Sequence, residues 1–434
     1  MSADDVTHPE HPRILDEADP LREFPSRFYV ADPEVCYLDG NSLGRLPLAT
    51  KASIESFLTN EWGTELVGGW SHWIDEAERA GDLLAQTVLG TGPGQALVAD
   101  TTSVNLYQLC RAVVDSRPDK KTIIVDSANF PTDRYIVQGI AQQWGLNLIT
   151  IDVDGSGGPG AIAVEAEHER LTPELIEPFL TDDVAFLTLQ AINYRSGARP
   201  DIKAINDLAR SRGIPVIWDC SHAVGSIDLA FDENGVDLAV GCTYKYLNSG
   251  PGSPAWLFVR SKLQSELQVP IQGWFAQADQ FAMGPDFERI DTVRGFQVAS
   301  PSIIGIRAVQ ASLSMVAEAG IDVIEQKARA GTTMMVDLFD QWLAPLGFEL
   351  MTPRDSHSRG GHISISHPDA KQIALAMRVH SKVIPDYREP DSIRLAMSPL
   401  ATTYTEVWEG FRRLRELVET GAYRDVRDEG SRVT

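Results

Sequence analysis

The sequence predicts an α/β domain built on a mostly parallel, buried sheet and followed by a smaller α+β domain. Three observations carry that prediction. Short apolar runs rich in β-branched and aromatic residues alternate with helical patterns through the middle of the chain; a long helical stretch follows; the C-terminal part then mixes two strands with two helices.

In order, the strands of the first domain are TIIV (122–125), LNLITIDV (146–153), VAFLTLQ (184–190), IPVIWD (214–219) and AWLFV (255–259). Residues 201–212 form a helix between two of them, with Gly213 placed as its C-cap. GSGGPG (155–160) is a turn or flexible loop. The stretch 303–343 is helical, interrupted near Gly320, and leads to strands at 362–366 and 392–397 and helices at 368–379 and 405–420. Residues 1–24 are expected as a partly disordered lead and 25–315 as the large domain, whose N-terminal segment joins the small domain or a dimer interface. Residues 316–421 are expected as the small domain and 422–434 as a polar tail. In such sheets, sites form at the carboxyl ends of strands.

A length of 434 residues suits two or three domains, and 43% hydrophobic with 23% charged residues is ordinary for a soluble globular chain. The formal net charge of -23 argues against nucleic-acid binding, which needs a basic footprint. An anionic substrate would then need its own local cations. Cys36, Cys110, Cys220 and Cys242 are scattered without any C-x-x-C, so neither a disulfide framework nor a zinc site is expected, and the compartment is a reducing one. No apolar run approaches the ~18 residues that span a bilayer. The polar, acidic stretch 1–12 lacks the basic and apolar parts of a signal peptide. The expectation is a cytoplasmic protein that engages neither membrane nor nucleic acid. GTGPG (90–94) does not fit G-x-G-x-x-G, and neither G-x-x-x-x-G-K-[ST] nor H-E-x-x-H occurs.

Three local features point to a different chemistry. Among the lysines, only Lys245 has an apolar-to-glycine setting, between Tyr244 and Tyr246 in VGCTYKYLNSGPGSPAWLFV (240–259). Partial desolvation there lowers its pKa and favours imine formation; the alternative is a snorkelling surface lysine. Asp219 ends a hydrophobic strand, with Ser221 and His222 just beyond. A carboxylate so placed needs a buried partner, unless it merely caps a turn. Thr101, Thr102 and Ser103 precede an apolar helix, as an anion cradle or as an ordinary N-cap. His222 is either a cofactor neighbour or a packed histidine. Asp228 and Asp237 lie nearby, and Asp237 is either structural or part of a phosphate network. Together these match what pyridoxal phosphate (PLP) demands: a lysine to carry it, an acid to keep its pyridine nitrogen protonated, donors for its phosphate and an aromatic over its ring.

YLDGNSLGRLP (37–47), SVNLYQL (103–109), NFPTDRY (129–135), NYRSG (193–197), WDCSHAVG (218–225), TYKYLNSGPGSPA (243–255) and GWF (273–275) resemble, in order, the successive motifs of kynureninases. The resemblance implies PLP fold type I, aspartate-aminotransferase-like, as a homodimer with sites at the subunit interface. It makes Lys245 the Schiff-base lysine, Asp219 the pyridine-nitrogen partner and Phe130 the aromatic over the ring. Thr102 and Ser103 become the phosphate pair, with Tyr244 also reaching the phosphate, and Asp133 and His222 become further cofactor-site residues. Trp274 and Ser300 would come from the neighbouring subunit. Arg394, in SIRLAMSPL, would clamp the substrate α-carboxylate, a role that suits a bidentate guanidinium; Ser42 and Gln277 complete the expected substrate contacts. The implied reaction is hydrolysis of L-kynurenine, 3-hydroxykynurenine or a substituted analogue to an anthranilate and L-alanine, in tryptophan catabolism and NAD biosynthesis, with Tyr244 as proton donor to Cβ.

The substrate half departs from the family pattern. Ala276 and Gln277 stand where glycine and histidine are common, and Ala299 and Ser300 precede Pro301 where threonine or asparagine is common. These changes predict a substituted or bulkier aroyl-alanine, or a lyase acting on another β-substituted amino acid. A cysteine desulfurase shares the fold but needs a loop cysteine, and 350–362 has none. A non-catalytic PLP-binding protein is the remaining alternative.

Overall fold

The computed structural model describes residues 5–426. Eight strands form the main sheet: β1 (Ala96–Val98), β2 (Thr122–Asp126), β3 (Asn147–Asp152), β4 (Ile162–Ala163), β5 (Val184–Gln190), β6 (Val216–Asp219), β7 (Leu238–Gly241) and β8 (Trp256–Val259). Their order is β1-β8-β7-β6-β5-β2-β3-β4. Strand β8 runs antiparallel to β1 and β7, and every other pair is parallel. Strands β2 and β5 to β8 are buried at every residue. Such strands read as continuous apolar runs because both faces of the sheet are covered. Helix α2 (Thr102–Ser116) packs across β5 to β8, and helix α3 (Pro131–Trp144) across β2 and β3. Strands β1 and β7, with sequences ALV and LAVG, are too short to show a period and are absent from the sequence reading.

Helices α4 (Ile303–Ala319) and α5 (Ile321–Leu338) meet at Gly320, where φ is 81°. This is the break expected near that glycine, because positive φ favours a residue without Cβ. Beyond them β9 (Glu349–Leu350), β10 (His362–Ser366), β11 (Asp386–Arg388) and β12 (Ser392–Ala396) form an antiparallel sheet in the order β9-β10-β12-β11. Alternation separates its two faces. Ile363, Ile365, Ile393 and Leu395 enter a second core with Met335, Leu338, Phe411 and Leu414. The opposite face presents His362, Ser364, Arg394, Asp386 and Ser392. It is nonetheless buried, because it is turned to the large domain: Arg394 donates to the carbonyl of Tyr194, and His362 lies beside His222.

The expected lead is not a free arm. Residues Glu10–Ala18 form a helix, and Asp16 accepts from the backbone N–H groups of Tyr404 (2.7 Å) and Thr405 (3.0 Å) at the start of the C-terminal helix Tyr404–Glu419. Cys36–Tyr37 pairs in parallel with Val383–Ile384. At the other end Tyr423 is buried and donates to Asp369 at 2.9 Å, so the expected tail begins packed; residues 427–434 lie outside the described residues. Among the described residues no helix is long and apolar enough to cross a membrane.

One buried ion pair ties the lead to α5. Lys327 Nζ lies 2.7 Å from Asp19 Oδ2, a charge contact rather than an aligned hydrogen bond, with both side chains 2% exposed. Replacing Lys327 with Met strands the Asp19 charge. It should cost about 3–5 kcal/mol of unfolding free energy in a urea titration. A loss below about 1 kcal/mol would show that the pair is dispensable.

Candidate active site

The parallel strands β2, β5, β6 and β7 end on one edge of the sheet, and the chain leaving them carries polar side chains into a buried space. Asp219 is the last residue of β6; Ser221 donates to its Oδ1 through N–H (2.9 Å) and hydroxyl (2.6 Å). Strand β7 leads into Cys242, Thr243, Tyr244 and Lys245. The turn is pinned by Asn248 N–H to the Lys245 carbonyl (2.8 Å) and by Thr243 Oγ1 to the Pro254 carbonyl (2.8 Å). Gly44 N–H donates to the Tyr244 carbonyl at 2.8 Å. A Cβ on Gly44 would sit 2.4 Å from the Lys245 carbonyl oxygen, so the glycine of the NSLGR segment is required by close approach.

Lys245 is buried, with Nζ 2.8 Å from His222 Nε2 and 5.9 Å from the centroid of the Phe130 ring. Burial lowers its pKa; Cys242 and Asp219 oppose that, and Arg394 adds to it. His222 is held well below its ordinary value by burial and by the Lys245 charge, so it is neutral. Phe130 sits at the start of α3 and meets Tyr194 edge-on at 5.4 Å. One turn into α3, Asp133 is buried against Asp219. Burial first, then the nearby Asp219 charge, pushes Asp133 well above the carboxylate range, so Asp133 holds its proton. Asp133 Oδ2 and His222 Nδ1 have no hydrogen-bond partner.

At the start of α2 the capping role falls to Thr101, whose hydroxyl accepts from Val104 N–H at 3.3 Å. Thr102 and Ser103 occupy the first turn, where backbone N–H groups lack helical partners and the helix dipole favours an anion. Tyr244 is half-buried beside Cys242. Asp237 precedes β7 at the opposite edge of the sheet and pairs with Lys262 at 3.1 Å and Arg260 at 3.7 Å, which settles it as structural. Asp228 accepts from Ala230 N–H at 3.0 Å and its own N–H donates to Glu325 at 2.9 Å, also a structural arrangement.

Arg394 reaches the same space from the small-domain sheet. Its Nε and Nη2 meet Asp386, Nη2 also donates to Ser42 Oγ at 3.0 Å, and Nη1 donates to the Tyr194 carbonyl. Burial lowers its pKa and Asp386 opposes that. The residues fit PLP. A buried lysine of lowered pKa, a strand-end carboxylate with a protonated neighbour, an aromatic ring near the lysine and a helix N-terminus lie together. The unpartnered buried atoms of His222 and Asp133 are those a ligand would satisfy.

A family model for the kynureninase C-terminal domain matches residues 324–414. The kynureninase of Pseudomonas fluorescens is 34% identical over 414 residues, covering 93% of this chain and 94% of that one. The kynureninase of Burkholderia pseudomallei (strain K96243) is 32% identical over 421 residues, 96% of each chain. The chain belongs to the kynureninase family. Its fold is that of solved cysteine desulfurases. CsdA of Escherichia coli superposes with a TM-score of 0.75 at 15% identity over 92% of this chain and 98% of that one. The enzyme of Thermococcus onnurineus NA1 gives 0.74 at 16% over 89% and 95%. A C-DES variant, K223A, crystallised with glycine linked to its PLP cofactor, gives 0.71 at 15% over 91% and 97%.

Three further expected residues, Trp274, Gln277 and Ser300, lie on the segment 273–300. Trp274 is 45% exposed and donates its indole N–H to the Gln280 carbonyl at 2.9 Å; Ser300 is exposed. Gln277 Oε1 accepts from Glu288 N–H at 2.7 Å and one amide N–H donates to the Asp286 carbonyl at 3.4 Å, which leaves the second N–H as a donor for another group. The sequence reading missed His362, Asp386 and Asp39 at the site. The signal available was the alternation HISIS opposite SIRLA, which puts His362 and Arg394 on one face.

The proton held by Asp133 makes the two acids unequal. Asp133→Asn keeps a neutral hydrogen-bonding group and should retain kynurenine hydrolysis within roughly tenfold. Asp219→Asn removes the charged member and should lower kcat by orders of magnitude, several kcal/mol of barrier. Equal losses in kcat would contradict the assignment of the proton to Asp133.

Proposed function

We propose that this chain binds PLP on Lys245 and hydrolyses the Cβ–Cγ bond of L-kynurenine, 3-hydroxykynurenine or a ring-substituted analogue, releasing an anthranilate and L-alanine. The observation that carries the reading is the burial of Lys245, Asp219 and Arg394 around one space in a chain of this family. When bound, PLP supplies the electron sink for charge released from the substrate. Asp219 would hold the proton of the pyridine nitrogen, Phe130 would cover the ring, and His222 and Asp133 would complete the ring contacts. Thr102, Ser103 and Tyr244 would hold the phosphate. Lys245, its ammonium destabilised by burial, takes the proton from substrate Cα at Nζ. Arg394 and Ser42 bind the α-carboxylate. Burial raises the Tyr244 phenol above its ordinary value, so it keeps its proton near neutrality and can deliver it to Cβ as water adds to the γ-carbonyl. Water's hydroxyl ends on the aryl acid, and Cβ gains a hydrogen.

The same reading makes the active unit a homodimer. Phe281 (65% exposed), Met283 (70%) and Trp274 stand on one loop, an apolar surface that supports burial by a second copy. Trp274 and Ser300 then serve the partner's site. A reducing cytoplasm agrees with four buried, free cysteines. The altered residues Ala299 and Ser300, with the second amide N–H of Gln277 as a neutral donor, favour a substituted aroyl-alanine.

Borohydride reduction followed by peptide mapping should label Lys245, and a label on another lysine would overturn the assignment. Purified protein should release L-alanine from at least one of kynurenine, 3-hydroxykynurenine and their ring-substituted analogues; release from none refutes the reading. Arg394→Lys should raise KM by roughly tenfold or more without changing the cofactor spectrum, since charge-assisted hydrogen bonds are worth ~1.5–3 kcal/mol.

A further inference from the structure

His362 opens β10 on the polar face of the small-domain sheet and is 0% exposed. Neither ring nitrogen has a hydrogen-bond partner. A neutral imidazole carries one donor and one acceptor, and burying both unmet is costly. Its surroundings offer no remedy. The ring centroid lies 5.5 Å from that of His222, tilted by 56°. Gly197 closes one side, where a Cβ would come within 3.3 Å of His362 Nε2. The carbonyls of Tyr194 and Arg195 are close but not aligned for a bond, and that of Tyr194 already accepts from Arg394. Burial, then the charges of Arg394 and Lys245, hold the ring neutral.

The strand register places His362 near Arg394. His362 pairs with Ala396, two residues along the same face from Arg394, which pairs with Ser364. Arg394 itself is short of donors. A guanidinium has five N–H groups. Nε–H and one on Nη2 meet Asp386, the other on Nη2 goes to Ser42, and one on Nη1 goes to Tyr194. One N–H remains; with the Ser42 hydroxyl that makes two donors, whereas the two oxygens of a carboxylate offer about four lone-pair sites.

We propose that His362 supplies a further donor: its ring N–H hydrogen-bonds the α-carboxylate of the amino-acid substrate beside Arg394 and Ser42. This rests on the reading of the site as one that takes a free amino acid. His362 is then a substrate-binding residue that adds grip without adding charge, and its unmet buried nitrogens are explained by the ligand that meets them.

The test uses the PLP-loaded enzyme and the variants His362→Ala and His362→Asn. L-alanine and L-alaninamide, which differ only at the carboxyl group, are titrated by calorimetry, and kcat and KM are measured with L-kynurenine. His362→Ala should weaken L-alanine binding and raise KM by roughly 10- to 100-fold, the scale of one lost hydrogen bond to a charged group. L-Alaninamide affinity and kcat should stay within about threefold. His362→Asn, which keeps an N–H donor, should recover part of the loss. His362→Ala leaves a cavity and should lower Tm somewhat, whereas His362→Asn, closer in volume, should leave it nearly unchanged. Equal weakening of both ligands, no weakening of either, or a shifted cofactor spectrum with reduced kcat overturns the proposal, the last by making His362 a support for His222. Unfolding of both variants overturns it too. A wild-type enzyme that prefers L-alanine to L-alaninamide but cleaves no aroyl-alanine would refute the proposed reaction while the binding arm still reads His362.

Discussion

Lys245 and Asp219 are buried on the same strand edge, and neither charge is tolerable there alone. An isolated buried ion shifts its pKa and neutralises rather than remain unpaired. The fold therefore brings opposite signs together: Asp219 opposes the burial that drives Lys245 down, while Asp133 takes the proton that two adjacent carboxylates cannot both lose. Everything else about the large domain serves that placement. Parallel strands deliver their last residues to one edge, helix α3 sets Asp133 against Asp219, and the turn after β7, approached by Gly44, fixes Lys245.

The small domain supplies what a sheet edge lacks, a polar roof. A half-buried sheet ordinarily turns its polar face to water. Here the polar face of β10, β11 and β12 is as buried as the apolar one, because it closes over the large-domain edge. Its polar groups must find partners within the interface or in a ligand. Arg394 finds Asp386, Ser42 and the Tyr194 carbonyl. His362 and Ser364 Oγ find none. The N-terminal segment contributes Asp39 and Ser42 to the same space while Asp16 caps the C-terminal helix, so the lead, which looks merely polar in sequence, is bound at both levels.

The parts legible in sequence are those with a strong local signal. The long buried strands, the break at Gly320 and the helix after Thr101 can each be read from a run, a glycine or a cap. Lys245 and Asp219 stand out because a charge inside an apolar run needs a reason. Short strands such as β1 and β7 have no period to detect. The helix at residues 10–18 is set by contacts with the distant C-terminal helix rather than by its own sequence. Gln277 illustrates a different limit: its residue type suits a ligand donor, but only the loop geometry shows that Glu288 uses its oxygen and Asp286 one of its N–H groups. His362 was hidden for the same reason in reverse, since its missing partners are visible only once its neighbours are known.

Charge around the site explains how an acidic chain can receive an anionic amino acid. Lys245, Arg394 and Arg388 face the space from different elements; all three act on the buried His222 to lower its pKa. Against them Asp133 is protonated. Burial and the Asp386 charge raise Asp39 to about 6, against the Ser42 hydrogen bond and the Arg394 charge. Arg394 is held at once by Asp386, Ser42 and the Tyr194 carbonyl, so contacts from the small-domain sheet, the N-terminal segment and the large domain together fix its guanidinium in the space where its charge also acts on Lys245.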